Sequence, residues 1–458
     1  MKEIFYIKDT PAGKISYYLL LVFVTTLPFD RIYSELALIV LLLHTLIHLK
    51  KENLSWSVRW IGWMSAALYL LTMAGTLYTA RAGDAWGDWE KQLALVLFPL
   101  IIWFSRLDWQ WYRPRLLKAF AFSCLFTAIY LYGVTLYAIY SHGESLSALF
   151  SKPHMNHAFS FPIQLHATYY AAYLALSVVV FADRLFRRPA GKAVGVGGTA
   201  RKPVRAGERL VRLGYSLAVL ICLCAIFQLA SRAVCIALVV IANLLIPFYL
   251  LRGRLRWRIL AIMVSLTMLS LLVVWQNSHL HSRYLVQLKQ DLRSDTGAIL
   301  DPEPRMARWQ CAWELIRESP WIGYGTGAEV GKLKERYYAH HLMISYTLGL
   351  NAHNQFLSFW LKTGVVGMLV YVTALLLAFR EAWRRKEIYL TAFVLIITCI
   401  SLSENILDVN KGIFFFSMFF VIFLPKPVCI PRTAIARFVQ NRRFRPRKER
   451  VEAAPTKA

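Results

Sequence analysis

The sequence is short of charge, and above all of acid. Of 458 residues only 17% are charged, with 26 Asp or Glu against 53 Lys or Arg, which leaves a net charge of +27. Cysteine is sparse: seven residues and no CxxC pair, so neither a zinc site nor a disulfide framework is supported. No repeat of 20–50 residues is visible, which excludes solenoids and propellers. The two halves also lack the internal symmetry that many transporters show. What the chain has in quantity is apolar surface: 57% hydrophobic residues, including 15 Trp, 23 Tyr and 27 Phe, and a mean hydropathy of +0.45. That composition excludes disorder, collagen and a disulfide scaffold. It also argues against the several soluble domains that the length would otherwise hold. An isoelectric point near 9.9 would suggest nucleic acid in a soluble protein. In a membrane protein it reports basic cytoplasmic loops, so no nucleic-acid partner is expected and membrane lipids are.

A membrane helix needs about 20 mostly apolar residues. Twelve such stretches lie near 15–29, 33–49, 58–78, 90–105, 115–140, 167–183, 213–230, 232–251, 258–275, 353–379, 388–406 and 411–425. The fold class is therefore all-α, a polytopic membrane protein of about twelve transmembrane helices. The first stretch follows polar residues and lacks a small-residue cleavage site, so it reads as a retained span. Lys and Arg concentrate on alternate connections. The sixth holds nine and the tail after Pro425 ten, whereas the first, third and fifth hold one each: Arg31, Arg81 and Lys152. The positive-inside rule then puts both termini and every even connection in the cytoplasm. The ninth connection, 276–352, breaks the pattern with nine Lys+Arg and eight Asp+Glu, as long loops do. The expected organisation is helices 1–9 over 1–275, a large extracytoplasmic loop at 276–352, helices 10–12 over 353–425, and a basic cytoplasmic tail at 426–458. The tail reads as disordered, and 189–207 as a flexible basic linker.

Chemistry outside the membrane is expected in the large loop. Pro302 and Pro304 suit the start of a helix and Pro320 its stop. Trp309, Ala312, Trp313 and Ile316 form a stripe, with the tryptophans suited to a membrane interface. Arg305 and Arg308 fall in the first turn. They read either as solvated cations or, with the exposed N–H groups, as an anion site. The following Gly323-Tyr324-Gly325-Thr326-Gly327 lacks the full nucleotide-loop spacing and reads as a tight connector that lets backbone approach a ligand. Arg232 lies where the chain must turn between two basic cytoplasmic loops. It is either an Arg that snorkels to the interface or a functional intramembrane charge. His353 and His166 each open a span; a His suits proton transfer or anchors a helix end. No spacing such as HExxH points to a metal.

At this point the residues resemble the O-antigen ligase and O-antigen polymerase superfamily of GT-C type glycosyltransferases. His353-Asn354-x-x-Leu357 ending at Gly364 looks like the signature that closes the family's large loop. Arg305-x-x-x-Trp309, followed by Pro320-Trp321-Ile322-Gly323-x-Gly325, looks like its loop helix and exit. Ser231-Arg232 resembles the Arg that heads a mid-chain span, and Glu404-Asn405 with Asp408 and Gly412 is similar to the penultimate span's ending. The likeness covers roughly 160–425. It implies transfer of a glycan from an undecaprenyl-pyrophosphate carrier on the periplasmic face of the bacterial inner membrane, with inversion and without metal or other cofactor. In the ligase branch the acceptor is the lipid A–core of lipopolysaccharide. Arg232 and Arg305, with Arg308 in reserve, would bracket the pyrophosphate. His353 would act as base or orient acceptor or leaving group, and His166, Asn354 and Glu404 would support the site. The alternatives are an O-antigen or exopolysaccharide polymerase, a protein O-oligosaccharyltransferase and, from a different class, a transporter or lipid flippase.

Overall fold

The computed structural model describes residues 2–5, 9–49, 60–105, 107, 109–186, 206–292 and 303–424. Most of the basic linker, the whole tail, and Asp295 and Asp301 of the large loop lie outside them. The described residues are all-α. In hydrocarbon every backbone N–H and C=O must be satisfied within its own segment, and an apolar helix does this. The helices, in chain order, are α1 Pro11–Thr26, α2 Arg31–Ile47, α3 Met64–Thr76, α4 Ala82–Gln92, α5 Ala94–Phe104, α6 Trp109–Ser141, α7 Ala167–Phe186 and α8 Ala206–Leu229. They continue as α9 Arg232–Leu250, which contains a π-turn at Ile241–Leu245, and α10 Gly253–Gln276. The last six are α11 Arg305–Glu318, α12 Glu329–Ala339, α13 Met343–Leu348, α14 Gln355–Arg385, α15 Ile388–Ser401 and α16 Asn410–Phe423. Each of the twelve apolar stretches carries helix. Six helices, lying in α6, α7, α8, α9, α10 and α14, are long and apolar enough to cross a membrane by length and composition, and α15 and α16 are shorter apolar helices.

The centre of the bundle is α7, packed against α6, α8 and α15. Its tyrosines satisfy their hydroxyls on neighbouring backbones: Tyr170 donates to Cys124 O (2.8 Å) and Tyr173 to Lys411 O (2.8 Å). Beside it α16 is buried throughout, its phenylalanines interleaved with Phe120, Tyr173 and Phe393. Lipid tails are as apolar as Phe, so this contact stabilises by close dispersion packing rather than by transfer from water. By contrast α10 buries only Val274 and presents the rest of its apolar surface outward.

Three local features correct the sequence reading. The tight turn before Arg232 has no Gly or Pro, and Ala230 takes the left-handed conformation instead (φ 48°). For a residue with a Cβ this costs roughly 1–2 kcal/mol. The span read at 353–379 runs to Arg385 and is broken at Thr363–Gly364 (φ −129° and +67°). Its first part, with Leu361, packs into the small apolar core that the large loop builds from Ala307, Cys311, Ala312, Leu315, Leu333 and Tyr337. The backbone groups freed by the break are met by the glycine connector. Tyr324 N donates to Leu361 O (2.8 Å), Gly325 N to Lys362 O (2.9 Å), and Val365 N to Pro320 O (3.0 Å). The glycines thus approach protein backbone rather than a ligand: a Cβ on Gly323 would meet Leu361 O, one on Gly325 the Thr79 Cα, and one on Gly364 the Trp321 carbonyl. The span read at 388–406 ends as helix at Ser401, so Glu404 stands in a connection beyond the helix.

Candidate active site

The loop helix α11 starts at Arg305, directly after Pro304. Its buried face is Ala307, Arg308, Cys311, Ala312, Leu315 and Ile316, a stripe rotated from the one expected. Trp309, expected at a membrane interface, is half-buried. Its indole N–H donates to Ala352 O (3.0 Å) and ties the helix to the residue before His353. Arg305 donates to Ser403 O (2.8 Å) through Nη1 and pairs with Glu404 Oε1 (3.4 Å) and Asp291 Oδ2 (3.8 Å). Asp291 ends a helical arm of short segments that continues α10, Ser278–His281, Ser282–Val286 and Gln287–Asp291. The same carboxylate oxygen pairs with Arg232 Nη2 at the start of α9. One acid therefore gathers two arginines from distant parts of the chain.

Two further arginines close the group. Arg283, on the same arm, donates to Gln287 Oε1 (2.5 Å). Arg308 is buried rather than solvated. Burial, foremost, and the charges of neighbouring arginines push both guanidinium groups below their ordinary values: Arg232 and Arg305 act on Arg283, and Arg305 on Arg308. Arg232 Nη1, Arg283 Nε and Arg308 Nε are buried donors without a hydrogen-bond partner. Buried polar groups are nearly always satisfied, and buried charge is costly unless paired. Four cations share Asp291 and Glu404, so a polyanion placed among them would relieve both deficits.

On the other side of Glu404 stands His353. It takes a left-handed backbone (φ 47°), held by its N–H on Asn351 Oδ1 (3.0 Å). Its Nδ1 is 3.1 Å from Glu404 Oε2. Burial by itself would raise the Glu404 carboxyl. The hydrogen bond from His353, the positive charges that His353 and His166 carry in the acid range, and that of Arg305 outweigh it and hold the carboxyl at about 2. Glu404 is thus an acceptor at neutral pH, and in the neutral imidazole that faces it His353 Nδ1 carries the proton between them and Nε2 the lone pair. His166 packs edge-on against His157, with ring centroids 4.2 Å apart. Burial, foremost, and the like charges it meets in the acid range on His157, His353 and Arg305 depress His166 to about 4 against the opposing pull of Glu404, so it is neutral at pH 7. Its Nδ1 accepts Thr168 N–H (3.3 Å), which leaves the proton on Nε2 as a donor.

A second polar layer fixes this pair. Asn354 is a helix cap: its side chain accepts from Phe356 N (3.0 Å) and Leu357 N (3.3 Å), and its N–H donates to Asn405 Oδ1 (2.8 Å). Asn405 in turn donates to Glu329 (3.2 Å) and Asp408 (2.9 Å). Asp408 holds no arginine. Its partner is buried Lys362 (2.8 Å), which also reaches Glu329 (3.4 Å) and Asp88 (3.7 Å). The loop carboxylates Glu303 and Glu314 lie apart from the site. Glu303 accepts from Ile344 N and Ser345 N, and Glu314 pairs with His340.

Of the residues named from sequence, the structure brings together Arg232, Arg305, Arg308, His353, His166 and Glu404. It adds Arg283, Asp291 and His157, which carry no motif and sit among mixed charges or beside unrelated histidines. Residues 217–372 match the family model described as O-antigen ligase. Over that stretch the chain is similar to the family. The matched residues include all four arginines, Asp291 and His353, whereas His157, His166 and Glu404 lie outside them. No curated protein matches the chain.

Proposed function

We propose that the protein is an O-antigen ligase of the bacterial inner membrane. It transfers a glycan from undecaprenyl pyrophosphate to the lipid A–core of lipopolysaccharide on the periplasmic face, with both termini in the cytoplasm. The observation that supports this reading best is the group of four arginines, three of them with a buried donor left unsatisfied, beside an ionised Glu404 and its partner His353. In the reaction His353 Nε2 takes the proton of the acceptor hydroxyl, and the hydroxyl oxygen attacks the anomeric carbon. The bond from that carbon to the pyrophosphate oxygen breaks, and its electron pair leaves on the pyrophosphate. Charge grows there as the bond opens, so cations fixed beforehand lower the barrier. Arg232 and Arg305 supply them with forks that match phosphate oxygens, with Arg308 and Arg283 behind, and this role needs no metal or other cofactor. A single displacement inverts the anomeric centre. Glu404 holds the imidazole in the tautomer that accepts a proton and steadies the imidazolium that forms.

The test is reconstitution. Purified protein in liposomes with carrier-linked glycan and rough lipopolysaccharide should form the covalent product without ATP or added metal, and Arg232→Ala, Arg305→Ala and His353→Ala should each abolish it while still inserting. Extension of a second carrier-linked glycan instead would make the protein a polymerase, and glycosylation of an added pilin a protein oligosaccharyltransferase. Movement of the carrier lipid with no product would overturn the transferase reading in favour of transport.

A further inference from the structure

A cleft of about 400 Å³ borders His166. That is within the roughly 300–1,000 Å³ of small-molecule sites. His166 and Tyr169 form one wall, and none of the four arginines lines it. Several of its polar groups are already engaged. Asp408 is held by Lys362, Asn410 donates to Glu35 (2.6 Å), and Lys411 donates to Thr26 O, Asp30 O and Ser34. Three are not. Arg31 has only a loose pair with Glu35 at 3.9 Å and is largely exposed. Lys91 has no carboxylate within ion-pair distance among the described residues, and no side-chain hydrogen bond is formed by Gln164, which is presented on a left-handed backbone (φ 50°). Asp30 also lines the cleft and caps α2 by accepting from Ile32 N (2.9 Å). The groups of the cleft left without a close partner are therefore two cations and one amide, beside a neutral histidine donor.

We propose that this cleft is the acceptor subsite and that it selects a sugar bearing an anionic substituent, a phosphate or a carboxylate, held by Arg31 and Lys91. The inference rests on the transferase reading. Gln164 and the His166 N–H bind sugar hydroxyls, and the attacking hydroxyl is presented past His166 toward His353. Donor pyrophosphate and acceptor anion then occupy separate cationic sites with the histidines between them. This keeps like charges apart and lets both substrates bind together.

The experiment measures initial rates for the full-length protein in lipid nanodiscs. The donor is carrier-linked glycan and the acceptors are three preparations of rough lipopolysaccharide: intact, stripped of core phosphate, and with its carboxylates reduced. For the wild type, removing the recognised anion should raise the acceptor KM about tenfold, and the arm that does so identifies phosphate or carboxylate. Arg31→Ala with Lys91→Ala should raise the KM for the intact acceptor by a similar factor, erase the preference, and leave kcat and the donor KM unchanged. The charge-conserving Arg31→Lys with Lys91→Arg should restore it, which separates recognition from misfolding. An unchanged acceptor KM in the double alanine variant, or a shift in the donor KM instead, would overturn the subsite. Absence of product from wild type with every acceptor would sink the transferase reading itself.

Discussion

Glu404 is the residue on which the proposed site turns, because it touches both halves of the proposed chemistry: His353 on one oxygen and Arg305 on the other. Its carboxyl stays ionised down to about pH 2, so acid loss of activity at pH 5–6 would come from a histidine and not from Glu404. Glu404→Gln keeps the shape but removes the charge that steadies an imidazolium. We expect kcat to fall about 10²- to 10⁴-fold with little change in donor affinity, measured by product formation at saturating donor. His157 and His166 give a separate pH signature. Burial lowers both from the ordinary 6.5, His166 to about 4. The unfolded chain therefore takes up protons between about pH 6.5 and 4 that the folded chain refuses. Stability from these residues is complete above pH 6.5 and is lost as pH falls through that window. The thermal midpoint in detergent should drop across it, and His157→Gln with His166→Gln should flatten the drop.

At the scale of the element, the break in α14 couples the loop to the bundle. Gly364 adopts φ +67° and ψ −167°, a region essentially confined to glycine, and a Cβ there would collide with the Trp321 carbonyl. Gly364→Ala is expected to cost about 3 kcal/mol or more, from backbone strain plus displacement of the connector, and to lower activity with the thermal midpoint. Gly133 in α6 has open space around a Cβ, so Gly133→Ala is the control and should be neutral or slightly stabilising. Lys362 belongs at this scale too, since it joins α4, α12 and the 402–409 connection to α14. Lys362→Met leaves three carboxylates facing one another and should destabilise by about 3–5 kcal/mol, read in the same melting experiment.

At the scale of the whole molecule, much of the helical layout was legible because apolar run length carries it. The loop helix was legible too, since prolines bracket it: Pro304 precedes Arg305, and Pro320 stands just past Glu318. Four of the named residues, Arg232, Arg305, His353 and Glu404, meet in one place, and the short motifs around them, taken in their order along the chain, single them out. The rest is tertiary and left no local pattern. Asp291 lies in a stretch of mixed charge, and only folding reveals that it serves two arginines. Arg308 reads equally as solvated or as part of an anion site from its place in a helix's first turn, and its burial depends on the loop core closing over it. Lys362 read as part of an apolar run, while its three acids come from elements far apart in sequence.

The central claim is that the arginines hold the carrier's pyrophosphate and that His353 acts on the acceptor's proton instead. Equilibrium binding of undecaprenyl pyrophosphate to the purified protein tests this most directly. Wild type and His353→Ala should bind it alike, within about threefold, and Arg232→Ala with Arg305→Ala should lose about 100-fold or more, as expected for two charge-assisted contacts at a buried site. Retained binding in the double arginine variant, or its loss in His353→Ala alone, would contradict the account.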